Sequence, residues 1–308
     1  MISVVIPLYN KEQHIAKTLQ SVFAQTYTDY EIVIVNDGST DKSAEVVEKI
    51  NDPRIRLIQQ QNAGVSAARN KGIEESRGEY IALLDADDEW KPNFLATINN
   101  LVNRYPDCDM FATSYEFKDQ NGFVTRPNIN KIPFNGNEGL LANYFEISSC
   151  STPPICSSAV VFSKSAIVSI GLFPVGVRLG EDLITWARLA CKYKIAYSTE
   201  HLAIYVFASQ AGRVVPKKQP NKEDYVGNAF KELVKNYDLP YLKNTAALWH
   251  KMRMVTFVQL QMRKGARHEF EIIKSYIRPT KKDIFWYIMS FMPISVVQFI
   301  LKSKSGFK

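Results

Sequence analysis

Four short runs rich in β-branched and aliphatic residues occupy the first part of the chain, each followed by a stretch of helical period. The runs are Ser3-Val4-Val5-Ile6-Pro7-Leu8 and residues 31–35, 54–59 and 80–84. Between the first two, Ile15, Leu19, Val22 and Phe23 form an apolar stripe at helical spacing, and residues 43–50 and 64–76 read as two further helices. Strands that alternate with helices of this length predict an α/β fold whose central, mostly parallel sheet is covered on both faces. Ligands of such sheets bind beyond the carboxyl ends of the strands. Two acidic turns fall there, Asn36-Asp37-Gly38-Ser39-Thr40-Asp41 and Asp85-Ala86-Asp87-Asp88.

The second turn carries the most chemistry. Strand residues alternate faces, so Asp85 and Asp87 point the same way while Asp88 begins the turn. Three unpaired carboxylates this close cost on the order of several kcal/mol unless a cation lies among them. Mg²⁺ or Mn²⁺ suits such a site, held by one or two carboxylates and by phosphate oxygens of a substrate. The alternative is a solvated acidic turn that caps a helix starting near Pro92. Asp37, at the first turn, is placed to accept the imide N–H of uracil, or else to close an Asx-turn. Arg69 falls one turn inside the helix after Gly64, where it could pair with a diphosphate or an acidic-turn carboxylate, or simply face solvent. Gly180-Glu181-Asp182-Leu183 opens a later helix. One carboxylate at a helix start suffices as a general base, and Asp182 is the candidate. Two acids stabilising a helix N-terminus are the alternative there. Trp186, one turn on, could stack on a sugar or pack in the core. No Ser-His or Cys-His pair suggests a covalent intermediate.

In this order and spacing, Val4-Val5-Ile6-Pro7-Leu8-Tyr9-Asn10-Lys11-Glu12, Val35-Asn36-Asp37-Gly38-Ser39-Thr40-Asp41, Asn62-Ala63-Gly64-Val65-Ser66-Ala67-Ala68-Arg69-Asn70, Leu84-Asp85-Ala86-Asp87-Asp88 and Gly180-Glu181-Asp182 resemble glycosyltransferase family 2 over roughly residues 1–210. The resemblance implies a GT-A fold and inverting transfer from a nucleotide-diphosphate sugar, most simply a UDP-sugar, with Mn²⁺ or Mg²⁺. Carried across residue by residue, Pro7, Tyr9 and Glu12 would border the nucleoside, Asp37 would bind the base and Arg69 would line the pocket. Asp85 and Asp87 would be the DXD pair, with Asp87 the metal ligand, Asp85 nearer the ribose or sugar and Asp88 an extra carboxylate. Asp182 would be the general base and Glu181 its support. Where the family often has a His or basic residue past the base, this chain offers His201 and Arg213, and Arg213 is the choice for a diphosphate contact. A nucleotide-sugar or polyanion-binding protein without turnover is the non-enzymatic alternative. A nucleotidyltransferase is another, although no Gly-rich basic loop follows the first strand. A dehydrogenase is disfavoured, because no Gly-x-Gly-x-x-Gly follows it either.

Charge divides the chain unevenly. Residues 210–308 hold 19 Lys and Arg against 7 Asp and Glu, a net of +12, while residues 1–209 hold 19 against 24, a net of −5. A basic region on a mildly acidic body suggests an anionic partner, either a membrane surface or a polyanion, with no nucleic acid expected; a solvated basic helical face is the alternative. The expected organisation is a catalytic domain over 1–210, with a nucleotide-binding half (1–100) and an acceptor half (101–210), then a basic helical region over 211–308. The run from Phe285 to Leu301 has no charge, contains Pro293 and is bracketed by Lys281-Lys282 and Lys302. It is short for a span of about 20 residues, and reads as an interfacial helix pair within a tail over 283–308. Burial against the protein is the alternative, and a homodimer contact another. That tail would hold the chain on the inner leaflet beside a lipid-linked glycan acceptor. Met1 is followed almost at once by a strand, without a basic n-region, so a cytoplasmic location is expected. The four cysteines lack metal-ligand spacing and are expected reduced, in or near the core. In the middle third, 110–117 and 158–162 read as strands, 138–144 as a short helix and 202–207 as strand-like, and 222–277 as two or three helices. His14, His250 and His268 fall in helical stretches, structural or exposed.

Overall fold

The computed structural model describes residues 1–207, 223–293, 295–297 and 300. The chain divides into two compact units, Met1–Ser209 and Gln210–Lys308. In the first, the elements run β1 (Ile2–Leu8), α1 (Ile15–Phe23), β2 (Tyr30–Asp37), α2 (Ser43–Glu48), β3 (Ile55–Gln60), α3 (Val65–Glu75), β4 (Tyr80–Leu83), β5 (Glu89–Trp90), α4 (Phe94–Arg104), β6 (Cys108–Lys118), β7 (Val124–Thr125), β8 (Glu138–Leu140), α5 (Tyr144–Cys150), β9 (Val160–Ser163), α6 (Lys164–Ser169), α7 (Glu181–Lys192) and β10 (Lys194–Val206).

One sheet of order β3-β2-β1-β4-β9-β6-β10-β5 spans the unit. Its longer ladders are parallel: β1 with β2 and β4, β2 with β3, and β10 with β6. β9 runs antiparallel between β4 and β6. Because side chains alternate along a strand, β1 feeds two cores. Ile2, Val4, Ile6 and Leu8 join Ile15, Leu19 and Val22 of α1 and Phe94, Leu95 and Ile98 of α4 in one buried cluster. Burying those four β1 side chains alone is worth roughly 6–12 kcal/mol of transfer free energy. Val5 and Val35 meet α3 instead, so closely that a Cβ on Gly72 would lie 2.3 Å from Val5 Cγ1. Only glycine allows that helix to approach. The parallel register brings the carboxyl ends of β1, β2 and β3 level, with Leu8 opposite Asn36 and Asn36 opposite Gln59.

The structure revises several local expectations. Residues 138–144 are not a short helix: 138–140 pair antiparallel with β10, and the helix is α5, further on. The strand expected over 202–207 starts at Lys194, its first half masked in the sequence by Ser198, Thr199 and Glu200. Cys150 is exposed, although Cys108 is buried and all four cysteines are free thiols.

The second unit contains α8 (Tyr225–Asn236), α9 (Leu242–Gln259), α10 (Arg263–Tyr276) and α11 (Lys281–Met289). α11 begins before the apolar run, where Thr280 and Asp283 form a reciprocal capping box. Met289 and Val297 are buried with Met254, Phe257, Phe270 and Ile273, so part of the tail packs on the protein. Ile284, Ile288, Phe291 and Val296 remain exposed. No described helix is long and apolar enough to cross a membrane.

Candidate active site

The acidic turn after β4 is held on three sides. Asp88 N–H bonds Asp85 O at 3.0 Å, and Thr18 Oγ1 of α1 donates to Ala86 O at 3.0 Å. Ser158 accepts from Asp85 N–H at 3.1 Å and donates its hydroxyl to Asp88 Oδ2 at 2.5 Å. The N–H of Val206, at the end of β10, bonds Asp88 Oδ1 at 2.9 Å. Asp88, expected beside the metal ligands, is therefore turned inward and only 1 % exposed. Burial, reinforced by Asp85, pushes its carboxyl well above the usual range, against the pull of Ser158 and Val206.

Asp85 and Asp87 keep accessible side chains. Each meets a cation. Arg69 Nη2 lies 2.8 Å from Asp85 Oδ1, and Lys11 Nζ lies 2.5 Å from Asp87 Oδ2. Arg69 is 3 % exposed and continues to the other end of the site, where its Nη1 is 3.5 Å from Glu181 Oε1. Burial lowers the guanidinium's proton affinity, but Asp85 and Glu181 outweigh it and Arg69 stays a cation. Among the described residues its Nε and Nη1 have no hydrogen-bond partner, and its planar end lies over the Phe173 ring at 5.3 Å. Phe173 is fixed in turn by Asn70, whose amide bonds both its N–H and its carbonyl.

α7 presents a second carboxylate pair of the site. Gly180 supplies its left-handed N-cap at φ 82°, a conformation that suits glycine. Glu181 and Asp182 occupy the first turn, at the positive end of the helix dipole. Asp182 is half-buried, and its Oδ1 accepts from the Leu183 N–H at 2.7 Å. Burial, followed by the neighbouring Asp182, raises the carboxyl pKa of Glu181. Trp186 faces away into the core, 2 % exposed, and packs edge-on to Phe173.

The turns after β1 and β2 lie beside each other. Asp37 is 3 % exposed and accepts from Gln60 and Ala63 at Oδ1 and from Gly64 at Oδ2. It is fixed in place, and Oδ2 carries a single donor. Glu12 is exposed and tied to the neighbouring turn: its Oε2 accepts from Lys42 N–H and its own N–H bonds Asp41. Pro7 is half-buried and Tyr9 is 47 % exposed at the same strand end. Arg213 lies outside the described residues. His201 is half-buried, and burial, with Arg126, lowers its pKa. Sequence reasoning missed Lys11 and Ser158. The polar groove of about 680 Å³ along Asn100, Glu138 and Glu200 shares no residue with this site.

Four carboxylates (Asp85, Asp87, Glu181 and Asp182) thus lie near two protein cations, Lys11 and Arg69, while Asp88 is turned inward. The hard, accessible carboxylate oxygens of Asp85 and Asp87 fit a divalent cation. Among the described residues, one group brings His and carboxylate ligand atoms within 4.8 Å of each other: Asp224, His250 and Glu269 in the second unit. There Arg253 already bridges both carboxylates, at 3.1 and 2.8 Å, and His250 Nδ1 lies 2.6 Å from Glu269 Oε2.

Comparison with known proteins points one way. A profile described as "Glycosyl transferase family 2" matches residues 3–164. The chain is 32 % identical over 186 residues to glycosyltransferase GlyA of Streptococcus pneumoniae serotype 4, covering 59 % of this chain and 27 % of that protein. It spans about a quarter to a third of the length of the curated relatives it first matches. Among solved structures, S. aureus TarS 1-349 in complex with UDP-GlcNAc superposes with a TM-score of 0.64 at 17 % identity, over 90 % of this chain and 81 % of that one. The mannosyltransferase PcManGT from Pyrobaculum calidifontis, in complex with GDP-Man and Mn²⁺, gives 0.56 at 16 % identity, over 94 % and 83 %. At such identities the likeness concerns the fold.

Proposed function

The chain belongs to glycosyltransferase family 2, and from that premise we propose that it is an inverting, metal-dependent transferase. It moves a sugar from a nucleotide diphosphate, most simply UDP, to a glycan or lipid-linked glycan of a bacterial surface polysaccharide. The supporting observation is the meeting of the Asp85–Asp88 turn with the Glu181-Asp182 helix start, joined through buried Arg69. UDP-GlcNAc bound to TarS and GDP-Man with Mn²⁺ bound to PcManGT favour a nucleotide-sugar donor and a divalent ion.

Asp37 Oδ2, with one donor already bound, has a lone pair for the base N–H, while Pro7 and Tyr9 border the nucleoside. Asp85 and Asp87 hold Mn²⁺ or Mg²⁺, which when bound neutralises charge on the departing diphosphate, worth on the order of several kcal/mol. Asp88 acts one step back, through Ser158, by fixing the turn. Asp182 takes the acceptor hydroxyl's proton on Oδ2, because Oδ1 is engaged by Leu183. Glu181 supports it by anchoring Arg69. The exposed Ile284, Ile288 and Phe291, near the lysines that open α11, rest on an anionic inner leaflet.

The test is a thermal-shift screen of nucleotide sugars with and without Mn²⁺, since a ligand of the folded state raises the melting temperature by mass action. A metal-dependent shift with one nucleotide sugar, lost in Asp87→Ala, is expected. No shift with any of them would remove the donor site.

A further inference from the structure

Lys11 joins a pinned backbone to a part-exposed charge. Asn10 adopts a left-handed φ of 51°, which asparagine tolerates better than most residues. Asn10 N–H bonds Ser39 Oγ at 3.1 Å, and Thr40 N–H returns a bond to Asn10 Oδ1 at 2.8 Å. The Lys11 N–H bonds Ser43 Oγ at 2.7 Å, and Glu12 N–H bonds Asp41 at 3.1 Å. These crossed bonds tie the turn after β1 to the turn after β2. From that fixed base the Lys11 side chain reaches Asp87, 76 residues away in sequence. Both members of the pair remain part-exposed, at 36 % and 29 %, so neither is locked by burial.

An ammonium and a divalent cation compete for the same carboxylate oxygen. We propose that Lys11 is a built-in counter-ion: it neutralises Asp87 before the donor arrives, then yields it to the metal and takes a diphosphate oxygen. The proposal rests on the assignment of Asp87 as a cation ligand. A lysine is a point charge on a flexible stem, suited to such an exchange and to phosphate. Arg69 cannot play this part, because it is buried and held between Asp85 and Glu181. The consequence is coupling. Metal alone must displace Lys11, whereas metal arriving with a diphosphate provides the displaced ammonium with a new partner, so each raises the affinity for the other.

The test is Mn²⁺ binding to the full-length protein, followed by the free-ion electron paramagnetic resonance signal, with and without UDP. Lys11→Gln is expected to bind Mn²⁺ alone up to about fivefold tighter than the unmodified chain, the scale of an exposed ion pair. The gain in Mn²⁺ affinity on adding UDP is expected to shrink by a similar factor. Lys11→Arg, which keeps the charge, should behave as the unmodified chain and controls for folding, as do the melting temperatures. Equal or weaker Mn²⁺ binding by Lys11→Gln in the absence of UDP would overturn the proposal. Asp87→Asn separates the two claims: Mn²⁺ binding that survives that change refutes Asp87 as the ligand, whatever Lys11 does.

Discussion

Ser158→Ala isolates what holds the acidic turn. The hydroxyl gives a 2.5 Å bond to a buried carboxylate and receives one from the Asp85 amide. A bond to a charged group is worth about 1.5–3 kcal/mol and a neutral one about 1 kcal/mol, so the substitution should cost about 3 kcal/mol. For a unit of this size each kcal/mol lowers the melting temperature by about 2–4 °C, so a fall of about 6–12 °C is expected near pH 8. The deficit should also depend on pH. The carboxyl pKa of Asp88 is raised in the folded protein by burial and by Asp85, so its protonation favours the folded state. Its ionised form is the costly one, and that cost is present above the folded pKa and relieved as pH falls through it. Ser158 favours the ionised form, so the gap between Ser158→Ala and the unmodified protein should narrow as pH falls through the folded pKa of Asp88. Melting curves from pH 5 to 8 measure it. A gap below about 0.5 kcal/mol, or one that widens toward acid, would refute the assignment of Ser158 as the partner of a buried, ionised Asp88.

Two further outcomes follow from the packing. Arg69→Met leaves Asp85 and Glu181 without their shared cation and should destabilise the protein by about 3 kcal/mol or more, while Arg69→Lys should recover part of that loss in urea denaturation. The double change Ile284→Glu, Ile288→Glu alters two exposed side chains, so the melting temperature should stay within the effect of about 0.5 kcal/mol. Sedimentation with anionic vesicles should then lose any partitioning the unmodified chain shows, and unchanged partitioning would remove the membrane role of α11.

Much of the first unit was legible because its signals are local. The alternating runs around Val4, Ile32 and Ile81 became β1, β2 and β4, and the turns after the strands fell at the carboxyl edge. Gly180-Glu181-Asp182 opened a helix as its residues suggested. What sequence did not reveal is long-range. Asp88 resembles its neighbours in sequence, yet Ser158 and Val206 turn it inward across 70 and 118 residues. Lys11 has no local feature to mark it, because its partner comes from another strand end. β8 exists only through its pairing with β10, which no periodicity over three residues can signal. The apolar tail was ambiguous for a physical reason: one face of α11 and the segment after it is buried in the helical cluster while the other is exposed, and a run this short encodes both.

The most direct test of the central claim separates donor binding from turnover in Asp182→Asn. With the nucleotide sugar that the thermal screen selects, donor affinity should stay within about twofold of the unmodified protein, because the role proposed for Asp182 is toward the acceptor. Nucleotide-diphosphate release in the presence of acceptor should fall by about 10²–10⁴-fold, the range of a lost general base. Turnover left intact in Asp182→Asn would contradict the account, as would loss of donor binding equal to the loss of turnover.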